Sequence, residues 1–126
     1  MNSEFAAAAA QYKPYGICLI LAGVDFPRNT AFMNSMDKSQ FGSIYPSIKH
    51  DYAIDISLHK NLTDGASTLN GTAYSIPSVI NSLSRGAIGK FSMAHELGHS
   101  LGLYHTFETQ FGLECPDGSN GTTARD

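Results

Sequence analysis

Membrane spans, a disulfide framework and a strong charge are all missing from this sequence. The longest apolar run, residues 17–22 (I-C-L-I-L-A), has the length of a strand and falls far short of a bilayer crossing. Two cysteines, Cys18 and Cys115, are too few to staple a small fold. Cys18 lies inside the apolar run and reads as a buried thiol. Cys115, in a Gly/Asp/Pro-rich loop, is the better candidate for pairing, and the two could join only if their α-carbons came within about 7 Å. Charged residues make up 15% of the chain and the net charge is −3, too mild to point to a nucleic-acid partner. The chain opens M-N-S-E-F, with an acid at Glu4 and no Lys or Arg before Lys13. It therefore lacks the basic start and Leu-rich centre of a secretory signal, and Met1 does not read as the start of a secreted precursor. What is present, 126 residues of 42% hydrophobic content, suits one globular domain spanning 1–126.

Periodicity sketches that domain. Residues 4–12 are Ala-rich and read as the end of a helix stopped by Pro14 and Gly16. Residues 17–22 predict a strand covered on both faces. Residues 30–46 show no clean period and read as loop with a short helix. In residues 51–59, Ile54, Ile56 and Leu58 alternate with Ala53, Asp55 and Ser57, as in a half-buried strand. Residues 61–71 read as loop, 71–76 as a short strand ended by Pro77, and 78–83 as another strand. A turn over 84–89 leads to a helix over about 90–101, and from Thr106 the Gly- and Pro-rich composition predicts loop. The fold class expected is α+β.

The chemistry is concentrated in residues 95–105, H-E-L-G-H-S-L-G-L-Y-H. His95 and His99 are four apart and share one helix face, so both imidazoles can bind one Zn²⁺. Gly102 allows a sharp exit from the helix, because glycine accepts positive φ without steric cost. That turn can return His105 as a third ligand. Three protein ligands leave the fourth zinc position open, as in catalytic rather than structural sites. Glu96 cannot point along the same direction as His95 but can reach a water held there, where a general base is needed. Three of the five histidines fall in this run at ligand spacing, which a helix with scattered histidines would not explain. His50 and His59, at the ends of a predicted strand, read as solvated rather than ligating.

The run resembles the long metzincin signature H-E-x-x-H-x-x-G-x-x-H. Within that class, H-E-L-G-H-S-L-G-L-Y-H-T-F-E (95–108), including Thr106 after the third histidine, is similar to the pappalysin, or cytophagalysin-like, metallopeptidases. Y-G-I-C-L-I-L-A-G-V-D-F (15–26) looks like that group's second strand, residues 52–58 like its next strand, and G-T-A-Y-S-I-P (71–77) like its substrate-side edge strand. The resemblance implies a zincin-like N-terminal subdomain, a twisted mixed β-sheet carrying an active-site helix, with the C-terminal subdomain largely absent. It implies a secreted zinc endopeptidase acting on proteins or peptides, with Glu96 as general base. Ala73 and Tyr74 would bind substrate along the edge strand.

The sequence also departs from that pattern. Metzincins carry a Met-turn beyond the third histidine, and here the last methionine is Met93. The group's first strand is absent, and Cys115 stands where the group has a cysteine paired with a later one. The resemblance therefore implies a piece of a larger protease domain, or a reduced member whose site another chain closes. A non-catalytic zinc- or peptide-binding module is the alternative function. Asp117 and Asn120 offer oxygen ligands suited to Ca²⁺, a second metal the group often binds, although loops favour these residues in any case. Asn61, Asn70 and Asn120 head N-x-Ser/Thr triplets, which matter only in a glycosylating host.

Overall fold

The computed structural model describes residues 2–26, 28, 30–88 and 91–105. Its helices are α1 (Asn2–Tyr12), α2 (Thr30–Asn34), α3 (Phe41–Ile48) and α4 (Ser92–Ser100). Its strands are β1 (Ser35–Asp37), β2 (Asp55–His59), β3 (Asn61–Asp64), β4 (Ser67–Thr68), β5 (Gly71–Ala73) and β6 (Ile80–Ser84). The class is α+β, as expected, but the strands form two sheets of three rather than one. In the first, β6 lies centrally, parallel to β2 and antiparallel to β5. In the second, β3 is parallel to β1 and antiparallel to β4.

Strand β6 organises the core because both of its faces are covered and all five of its residues are buried. Side chains alternate along a strand, so Leu83 and Ile80 lie on opposite faces. Leu83 packs with Ala8 of α1 and with Met93, Ala94 and Leu97 of α4. Ile80 packs with Met36 of β1, Phe41 of α3 and Leu62 of β3. Helices α1 and α4 therefore cover one face, and the second sheet with α3 covers the other. Burying a side chain such as Leu62 or Ile80 contributes about 1.5–3 kcal/mol. Tyr12 fastens α1 to α4, its hydroxyl donating to the Ala94 carbonyl at 2.5 Å.

Five sequence expectations change. Residues 17–22 pair with no strand among the described residues. They follow a turn closed by Gly16, with Ile17 N–H bonded to the Tyr12 carbonyl. Leu19 packs on the α1/α4 cluster while Ile20 is exposed, so only one side of this run is covered. Cys18 faces outward as a free, exposed thiol rather than a buried one; Cys115 lies outside the described residues. Residues 61–71 contain the β3–β4 hairpin, turned at Gly65 with φ +58°. Residues 30–46 hold α2, β1 and the start of α3. Their order comes from Asp37, which accepts Ser39 N–H while Gln40 accepts Asp37 N–H in a capping box.

His59 is the fifth change. It is 1% exposed, not solvated. Its Nε2 lies 2.9 Å from Ser57 Oγ and 3.3 Å from Ser82 Oγ, and those two hydroxyls are 2.7 Å apart. Ser57 and Ser82 are register partners on β2 and β6, so strand pairing itself assembles the polar group that satisfies the ring.

Candidate metal centre

Helix α4 and its exit turn build the site. His95 and His99 stand one turn apart on α4. The helix then ends in a Schellman arrangement: Leu103 N–H bonds to the Gly98 carbonyl at 2.9 Å and Gly102 N–H to the His99 carbonyl at 3.1 Å. Gly102 sits at φ +89°, in the left-handed region that this exit demands. The reversed chain carries His105 back to the helix face.

The three rings meet at their Nε2 atoms. His95 and His105 are 3.0 Å apart there, His95 and His99 3.1 Å, and His99 and His105 3.2 Å. Two nitrogens on a tetrahedral zinc, each about 2.0–2.1 Å from the metal, lie about 3.3 Å apart. The triangle matches that spacing closely. Its protonation pattern also suits a ligand set. His99 Nδ1 lies 2.7 Å from the Leu103 carbonyl, which can only accept, so Nδ1 carries a proton and Nε2 is the atom left to face a metal. Burial, and then the neighbouring rings of His99 and His105, push the pKa of His95 below its ordinary value, which favours the neutral, ligating form. His95, His99 and His105 can thus hold one metal ion, and they are the one such cluster among the described residues.

Glu96 turns the other way. Only 5% of it is exposed, and Oε2 is buried without a hydrogen-bond partner. Desolvation raises its pKa from 4.5 to about 7. Its carboxyl lies directly over the α-carbon of Gly71 on β5. Strand β5 is the edge of its sheet, paired only with β6 among the described residues. Ala73 shares the Gly71 face of that strand, toward α4. Tyr74 falls on the opposite face, its ring centroid 5.5 Å from that of Phe41 and 5.2 Å from that of Tyr45. Of the two expected substrate-contact residues, Ala73 is therefore the one whose side chain is directed toward the metal helix. Tyr104 reaches across the exit turn, its hydroxyl 3.4 Å from the Ile76 carbonyl.

The three expected metal ligands meet on α4 and its exit turn, while Glu96 is directed from the same helix onto β5. Thr106, Glu108, Asp117 and Asn120, and with the last two the Ca²⁺ expectation, lie outside the described residues. Asn61, on β3, and Asn70, just before β5, are both exposed. Sequence reasoning missed the Leu103 carbonyl and Gly71. A glycine inside a strand often marks a close approach by another group, and that signal was available for Gly71. No helix among the described residues is long and apolar enough to cross a membrane. No family model matches the chain, and no curated protein or solved structure matches it.

Proposed function

We propose that this chain is the metal-binding part of a zinc endopeptidase of the metzincin type, similar in its motif to the pappalysins. One observation carries the reading: three imidazole nitrogens converge while the neighbouring carboxyl, one oxygen of it buried without a partner, lies against an edge strand. Imidazole sets serve several transition metals. Zinc is favoured because three ligands with an open fourth position suit hydrolysis, and hydrolysis is the chemistry that needs a base beside them. A zinc ion held by His95, His99 and His105 supplies Lewis acidity and an acidified water.

Glu96 does the proton work. A carboxyl of pKa about 7 can accept a proton from water and return it near neutral pH, which an ordinary, solvated glutamate does poorly. Its carboxylate would take the proton of the attacking water and pass it to the departing amine. The peptide lies extended along the outer edge of β5, bonding its backbone to residues 71–73 by strand addition, with Ala73 beneath it. Such a substrate, a protein or peptide, fits a secreted enzyme. A non-catalytic binding module would have no use for Glu96, whose Oε2 is buried without a partner at a cost.

The test has two readouts. Zinc titrated into chelator-stripped protein should bind once per chain, and the loaded protein should cleave quenched peptides. Glu96→Ala should keep the zinc and lose about 10²–10⁴-fold in rate. An active Glu96→Ala protein rejects this mechanism, and zinc binding by a wild type that never turns over favours the binding module.

A further inference from the structure

We propose that Gly71 is a positioning residue for Glu96: the bare α-carbon of the edge strand is the seat on which the base is held. The role, though not the contact, rests on Glu96 being the general base proposed above. Helix α4 crosses β5 closely enough that the Glu96 carboxyl occupies the space a side chain at position 71 would fill. A β-carbon built on Gly71 overlaps Oε1 of Glu96 and comes within 2.9 Å of both its Cδ and its Cγ. The overlap involves the whole end of the side chain and not one flexible atom. Glu96 is 5% exposed and its Oε2 already lacks a partner, so it has no open direction in which to retreat without cost.

The glycine is not there for its backbone. Gly71 is absent from the positive-φ residues, unlike Gly16, Gly65 and Gly102, and it sits in regular pairing opposite Leu83. Alanine would fit the backbone there, and alanine at a compatible site normally stabilises by restricting the unfolded chain. What excludes a β-carbon is the carboxyl above it. The same contact fixes the base beside the strand edge along which a peptide would lie. Gly71 would thus set where the proton is accepted.

The contact can be tested without activity. Gly71→Ala, Glu96→Ala and the double variant are compared by urea unfolding of the whole, zinc-free chain. Gly71→Ala should lower the midpoint when Glu96 is present and leave it level or higher in the Glu96→Ala background. Equal losses in both backgrounds overturn the proposal. In the zinc-loaded protein, Gly71→Ala should lower kcat about a hundredfold, the scale of a 1 Å misplacement, with zinc affinity and KM near wild type. Adding Glu96→Asp, one methylene shorter, should cost less in the Gly71→Ala background than alone. A wild-type kcat in Gly71→Ala, or zinc affinity falling with kcat, also overturns it. A wild type inactive on every peptide retires the peptidase reading, while the unfolding cycle still decides the contact.

Discussion

Glu96→Gln should stabilise the metal-free protein at alkaline pH and do nothing at acid pH. Packing between α4 and β5 strips water from the Glu96 carboxyl and raises its pKa from 4.5 to about 7. Unfolding returns it to water and to its ordinary value. Between those two values the folded chain binds a proton that the unfolded chain has released. Stability then falls as pH rises, by about 1.4 kcal/mol per unit. Across about 2.5 units the loss reaches roughly 3 kcal/mol, a large share of the 5–15 kcal/mol typical of a domain. Glutamine has nearly the same shape and never ionises, so it escapes this loss. The difference between variant and wild type should therefore be near zero below about pH 4.5, grow through the neutral range and level off above pH 7. Urea unfolding of both proteins in chelator, in steps from about pH 4 to pH 8.5, measures it. Subtraction cancels His50 and, to first order, the metal-site histidines, which both proteins carry. A difference flat with pH, or one favouring wild type at alkaline pH, refutes the claim that burial raises the pKa of Glu96.

Two other predictions concern the turn and a surface histidine. Gly102→Ala forces a β-carbon into the left-handed region at φ +89°. It should cost about 1–2 kcal/mol in urea unfolding and weaken zinc binding, since the same turn delivers His105. Unchanged zinc affinity in a destabilised Gly102→Ala protein would show that the turn does not set the site. The His50 ring lies 2.7 Å from Asp55 and 3.7 Å from Asp25. The hydrogen bond to Asp55, and then that carboxylate's charge, raise its pKa. A raised histidine pKa stabilises below the unfolded value of about 6.5, and that benefit fades as pH climbs through the folded value. His50→Gln should consequently lower the unfolding midpoint at about pH 5.5 and leave it nearly unchanged at about pH 8.5, and equal losses at both would contradict the ion pair.

What could be read from the sequence was what is local in the chain. His95, His99, Gly102 and His105 lie within three turns of backbone, and helix periodicity with one left-handed glycine is enough to bring their rings together. Strands β2, β5 and β6 were foreseeable because alternation or an apolar run, bounded by Gly and Pro, announces them. Strands β1 and β3 were not, because each buries a single side chain, Met36 and Leu62, and one residue makes no period. Residues 17–22 misled for the opposite reason. Their apolar run has the composition of a central strand, but pairing depends on a partner edge that composition cannot name. His59 looked like a solvated strand end until β2 and β6 aligned Ser57 with Ser82 beside it.

The Glu96–Gly71 contact separates the two kinds of information most sharply. The motif specifies that a glutamate follows the first histidine, which fixes its identity and its place on the helix. It does not specify the carboxyl's surroundings, and those surroundings set its pKa and its aim. They come from the antiparallel pairing of β5 with β6, which places Gly71 opposite Leu83 and so beneath α4. A register shift of one residue would put Thr72 there instead, with a side chain where the carboxyl now lies. The metal ligands would survive that shift and the base would not. The proposed metal binding and the proposed catalysis would therefore rest on different parts of the fold: the first on eleven consecutive residues, the second on a strand pairing that the motif does not contain.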